Sequence, residues 1–139
     1  MAGNKTLTII KPFAVQKRNL GAILAKIEES GFRFCAIKTL KLDKHEAEEF
    51  YIEHKEKPFY NELTDFMSSG PITAAILEKE NAVADFRFLI GATDPSEAKD
   101  GTIRKMFATD KTHNAIHGSD SDASAERECD FFFSKRERL

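Results

Sequence analysis

Residues 5–42, KTLTIIKPFAVQKRNLGAILAKIEESGFRFCAIKTLKL, decide what kind of fold this chain can adopt. The opening KTLTIIK is short, β-branched and closed by Pro12. That pattern predicts a buried strand delivering Lys11 to its C-terminal end. Asn19 is placed to cap a helix in which Leu20, Ile23, Leu24 and Ile27 recur at helical spacing, and Ser30-Gly31 ends it. Residues 32–42 alternate well enough to form a second strand. The segment is therefore a β-α-β unit, and the remainder must complete the sheet it begins.

Working outward, Asp43 with Glu46 three residues later reads as a capping box, and Ala47, Phe50, Tyr51 and His54 share one face of the helix it starts. Pro58 interrupts that helix, FYNELTDFM resumes it, and SSGP breaks it again. ITAAILEK is expected as a third strand, and NAVADFRFLIG as a helix with Val83, Phe86, Leu89 and Ile90 inward and Gly91 as its stop. ATDPSEAKDG is loop chemistry, with a brief helix after Gly101-Thr102. A short helix from about residue 121 to 129 is expected to lead into DFFF as the final strand. This order predicts an α+β fold, a ferredoxin-like antiparallel four-stranded sheet covered by helices, in one domain over residues 1–139.

Composition narrows the function classes. At 41% hydrophobic residues the chain can bury a core without disulfides. Lysine and arginine total 21 against 23 acidic residues, and a net charge of −2 argues against a nucleic-acid binder held by a basic surface. An anionic ligand must then be met by a local cluster of cations. Cys35 and Cys129 show no metal-site spacing and read as buried, reduced thiols. No secretory signal or membrane-length apolar run occurs, so a soluble, cytoplasmic chain with no membrane partner is expected.

Phosphate-loop, dinucleotide, zincin and serine-hydrolase signatures are all missing. His45, His54 and His113 read as structural or solvent-facing. His117 differs by its company, NAIHGSDS at residues 114–121. Gly118 removes a side chain beside it, Ser119 and Ser121 add hydroxyls, and Glu128 follows where it can fold back on the ring, directly or through Ser119. A neutral imidazole with a fixed tautomer is a competent nucleophile. The same letters equally suit a turn that caps the next helix through Ser119, Asp120 or Ser121, and the residues leave both readings open. Lys11, Arg87 and Arg104 are the candidates for a phosphate clamp, although each taken singly reads as a surface cation. Arg87 interrupts an apolar run, where an unpaired guanidinium would be costly, so it should find anions. Phe59 is a candidate for stacking on a base, and Tyr51 offers a hydroxyl to phosphate or nucleophile.

Taken together, these residues resemble the nucleoside diphosphate kinase family. NAIHGSDS matches its Asn-x-x-His-Gly-Ser-Asp signature, and TIIKP, KPFY, FMSSGP, GATDP, GTIR, SAERE and the FFF ending follow in the family's order over residues 4–134. The resemblance implies that His117 accepts a γ-phosphoryl group from ATP or another nucleoside triphosphate and passes it to a nucleoside diphosphate. It implies that Lys11, Tyr51, Arg87, Thr93, Arg104 and Asn114 hold phosphates and sugar, that Phe59 stacks on the base, and that Ser119 and Glu128 orient the imidazole. Mg²⁺ bridging the nucleotide phosphates without a protein cage, broad base tolerance and a homo-oligomer, hexamer or tetramer, are implied as well. Phe13 and Lys105-Met106 depart from the family's usual residues, and the ending SKRERL is short, as in bacterial members. A nucleotide-binding regulator that works through partners is the competing expectation.

Overall fold

The computed structural model describes residues 3–109 and 113–139. Strand β1 (Lys5–Ile10) is followed by a short helix α1 (Pro12–Gln16), which Pro12 starts at a position where its missing N–H is no loss. Helix α2 (Leu20–Glu29) buries Ile23 and Ile27 and leads to β2 (Arg33–Leu40). Asn19 precedes α2 as expected, but its side chain makes no capping bond. The Asp43–Glu46 capping box is present in full at the start of α3 (Lys44–Phe50), and α4 (Tyr60–Met67) packs back against it. Strand β3 (Ile72–Glu78), α5 (Ala82–Ile90) and α6 (Ile103–Phe107) follow, then β4 (Ile116–Gly118) and α7 (Asp122–Phe132).

The four strands lie in the order β2-β3-β1-β4, every neighbouring pair antiparallel, with one irregularity in register between Phe34 and Ala36. This is the expected ferredoxin-like plan, in which the crossover through α2 leaves a gap between β1 and β2 that β3 fills. Both faces of the sheet are covered. Leu7, Ile9, Ile72, Ala74 and Ile76 face a core completed by Phe50, Met67, Cys129 and Phe132 from α3, α4 and α7. Ile10, Ala75 and Leu77 face a second core completed by Ile23, Ile27, Phe86 and Ile90 from α2 and α5. A strand buried on both sides has no solvent-facing side, which explains the nearly unbroken apolar run of β3 and the burial of Thr6 and Thr8 along with the apolar residues of β1.

Two expectations fail at the C-terminal end. DFFF is not a strand: it continues α7 by a turn, because Ala125, Glu128, Cys129 and Phe132 are buried at helical spacing and hold that side of the helix to the sheet. The fourth strand lies instead within the stretch read as a turn, and pairs Ile9 with His117 and Thr8 with Gly118. Three residues carry too little periodicity to announce a strand. What holds β4 is the hydrogen-bonding edge of β1, reinforced by Thr8 Oγ1 donating to the His117 carbonyl at 2.9 Å.

Candidate active site

Strand alternation sends His117 and Gly118 to opposite faces of the sheet. A Cβ built on Gly118 would lie 2.9 Å from Phe86 Cδ2 and 3.0 Å from Ile90 Cδ1. The glycine therefore admits α5 against the sheet and does not clear space beside the ring. His117 points toward α3 and α7, where its ring meets the ring of Phe50 edge-on at 5.5 Å and that of Tyr51 at 6.2 Å.

Glu128 on α7 does fold back on the histidine. Its Oε1 lies 2.7 Å from His117 Nε2 and accepts from Ser119 Oγ at 2.8 Å. Ser119 is fully buried, and its Oγ in turn accepts from the Leu7 backbone N–H at 3.1 Å. The serine thus orients the carboxylate, and the carboxylate holds the ring directly. Both readings of the stretch prove compatible, since Ser121 caps α7 by accepting from Ser124 N–H at 3.0 Å while His117 stands on the strand before it.

Around the imidazole lies a cavity of about 310 Å³ whose wall includes Tyr51, Phe59, Arg87, Thr93, Arg104, His117 and Glu128. Arg104 is buried, with Nη1 donating to Gly91 O at 3.0 Å and Nη2 to Ile116 O at 2.9 Å, while its Nε has no partner among the described residues. Burial, with Arg87 close by, brings its guanidinium down to about 10. The Tyr51 hydroxyl is also buried without a hydrogen-bond partner among the described residues. Burial first, and the Glu128 carboxylate second, raise its pKa far above the ordinary phenol value, so it stays a hydrogen-bond donor. Three guanidinium groups, Arg87, Arg104 and Arg127, share the cavity wall with three carboxylates, Glu53, Asp120 and Glu128, and buried donors left without a protein partner are costly until something accepts from them.

Lys11, Asn114 and Ser119 are not in the cavity wall; all three are buried. Lys11 ends β1, and its backbone N–H donates to Ala115 O at 2.9 Å. Burial, and then Arg104, push its ammonium down to about 7. Arg87 sits on the exposed side of α5 beside solvent-facing Phe88, so it is not enclosed by apolar residues as the linear run suggests; its Nη1 approaches Gly118 O at 3.5 Å. Phe59 is 45% exposed, a ring left open at the rim.

The cavity also takes in Glu53, His54, Asp120 and Arg127, which the sequence reading did not select. His54 had a visible signal, since it follows Tyr51 by three residues; both lie past the end of α3, in a short turn that leaves their rings 6.3 Å apart. A larger concavity of about 790 Å³ shares Arg87 and is lined by Phe88, Leu89, Lys99 and Gly101, but no histidine lines it. The smaller one is the cavity that His117 lines.

The family model for nucleoside diphosphate kinase matches residues 4–138. The chain belongs to the nucleoside diphosphate kinase family. Its enzymatic function is accordingly that of a nucleoside diphosphate kinase, a phosphotransferase acting on nucleoside tri- and diphosphates. It is 59% identical over 135 residues to the nucleoside diphosphate kinase of Prosthecochloris aestuarii, covering 97% of this chain and 96% of that one. It is 52% identical over 137 residues to that of Salinibacter ruber, covering 99% and 96%. Among solved structures it matches the Aquifex aeolicus nucleoside diphosphate kinase with a TM-score of 0.96 at 46% identity, over 98% of this chain and 99% of that one. It matches a halophilic nucleoside diphosphate kinase from Halobacterium salinarum, solved in complex with CDP, with a TM-score of 0.94 at 37% identity, over 99% and 92%.

Proposed function

We propose that this kinase works by a ping-pong mechanism through a phosphohistidine at His117. The observation that carries the reading is the contact between Glu128 and Nε2. A carboxylate there accepts the Nε2 proton, fixes that tautomer, and leaves the Nδ1 lone pair as the nucleophile. Nδ1 attacks the γ-phosphorus, an N–P bond forms, the bond to the bridging oxygen breaks, and the nucleoside diphosphate departs with that electron pair. As the ring gains positive charge Glu128 stabilises it. The second half-reaction runs the same step backward onto another diphosphate, so one cavity serves donor and acceptor.

Arg104 and Arg87, with Lys11 buried near Arg104, supply the positive charge that the transferring group needs, and Tyr51 and Thr93 add hydroxyl donors. Asn114 is assigned to the same work, holding the nucleotide from its buried position near the strand. Phe59 stacks on the base, and since every base offers a π-face, wide tolerance of bases follows. The residues fit Mg²⁺ carried in by the nucleotide: Asp120 supplies a hard carboxylate oxygen on the cavity wall, and the phosphates would supply the other oxygens. When bound, the ion neutralises phosphate charge.

Incubation with γ-labelled ATP tests the mechanism. An acid-labile, base-stable label that disappears in His117→Ala is the expected result, and Glu128→Ala should slow labelling more than it weakens nucleotide binding. Nucleotide turnover with no labelled enzyme would overturn it.

A further inference from the structure

Helices α3 and α4 form an arm that carries four residues of the cavity wall, Tyr51, Glu53, His54 and Phe59, in the connection between them. Lys44 with Asp65, and Tyr60 Oη with the Glu48 carbonyl, hold the two helices to each other. A link to the reacting histidine comes from the opposite direction. Arg127, next to Glu128 on α7, donates through Nη2 to the carbonyl of Phe50 at 3.2 Å. Phe50 is the last residue of α3, whose final turn contains no basic side chain of its own. Carbonyls at a helix C-terminus lack intrahelical partners and carry partial negative charge, so a cation from another helix satisfies both needs. The same guanidinium lies 5.8 Å from the centre of the Phe50 ring and approaches Glu53 at 3.7 Å. The Phe50 ring in turn meets the His117 ring.

We propose that Arg127 is a positioning residue for the nucleotide: from α7 it pins the end of α3, and thereby sets Tyr51, His54 and Phe59 at a working distance from His117. Two successive residues of one helix then divide the work. Glu128 aims the nucleophile, and Arg127 aims the wall that receives base and phosphates. Arg127 itself lines the cavity, and it acts on the rest of the wall through Phe50 and Glu53, so its loss loosens the grip on nucleotide more than it disturbs the imidazole, which Glu128 holds directly. The inference rests on reading this cavity as the nucleotide site.

The test compares nucleotides with phosphoramidate, a donor with neither base nor sugar, whose P–N bond breaks with loss of ammonia as the N–P bond to histidine forms. Arg127→Met keeps the stem that packs on Phe50 but removes donor and charge. Its KM for ATP and for diphosphate acceptors should rise about tenfold, the worth of one charge-assisted hydrogen bond, while kcat changes little. Labelling of His117 by phosphoramidate should match the unmodified enzyme, and Arg127→Lys, which keeps the cation, should recover most of the affinity. A parallel fall in phosphoramidate labelling and nucleotide turnover would place the effect on α7 and Glu128 and overturn the proposal, as would an unchanged KM. If the phosphohistidine reading itself is wrong, the unmodified enzyme takes no label, and the KM values still decide for or against Arg127.

Discussion

Lys11 carries the clearest conflict between stability and activity. A lysine buried at the end of a strand beside Arg104 resists its own charge, and its pKa falls from 10.5 to about 7. The unfolded chain holds that proton up to about pH 10.5, so the native state is penalised fully below pH 7 and the penalty fades as pH rises from about 7 to 10.5. Lys11→Met should therefore raise Tm near pH 6.5, by the equivalent of a few kcal/mol, with the gain over the unmodified enzyme shrinking toward pH 10, while phosphoryl transfer collapses. Calorimetry at both pH values checks this, and equal Tm values at pH 6.5 would show that the ammonium is solvated where it stands. Under the proposed mechanism an arriving phosphate would reverse the balance by favouring the charged lysine. Burial acts on Cys129 in the opposite direction: its thiol is pushed up to about 11 and stays protonated at neutral pH.

Among the elements, β4 has the largest functional weight for its length. Its three residues take their position from β1 and place His117 over one core and Gly118 over the other. Gly118→Ala would force Phe86 and Ile90 on α5 to move, since neither ring nor branched chain yields without disturbing that core. A loss of about 1–3 kcal/mol, the usual cost of overpacking, is expected from denaturant unfolding at unchanged m-value. An alanine tolerated at no cost would mean that α5 is not held where it lies. Helix α7 contributes through its ends and its register alike: Ser121 starts it, and its buried side brings Glu128 to Nε2.

For the molecule as a whole, residues 134–139 lie against the outer edge of β2. Leu139 N–H donates to Cys35 O at 2.8 Å, Arg33 reaches the Leu139 carbonyl at 3.2 Å, and Lys38 pairs with Glu137 at 3.0 Å. These contacts occupy part of an edge that would otherwise offer free backbone groups to another strand. The ion pairs are partly exposed and contribute little individually, so the backbone bond and the cover over the edge carry most of the effect. Removing residues 134–139 should lower Tm by several degrees with catalysis retained at 25 °C. Thermal melts beside steady-state assays check this, and an unaltered Tm would show that the segment covers nothing of consequence. We also propose assembly into a homo-oligomer of four or six chains, for which native mass spectrometry is the direct measurement; a monomer would contradict it.

Much of this was legible in the order of residues. The β-α-β opening, the Asp43 capping box, the stop at Gly91 and the brief helix after Thr102 rest on local chemistry, each within a few residues, and all are present. His117 with Ser119 and Glu128 was legible because small and polar neighbours set that histidine apart from the other three. What the linear pattern misplaced depends on distant partners. DFFF has strand propensity, yet the sheet's lower edge was already taken by β4, and helical burial of Cys129 and Phe132 decided its form. The place of Arg127, the exposure of Arg87 and the true role of Gly118 follow from packing across the sheet, where residues far apart in the chain compete for the same space. Local propensity marks where an element begins and ends; only the closed core determines which side chains are brought within reach of one imidazole.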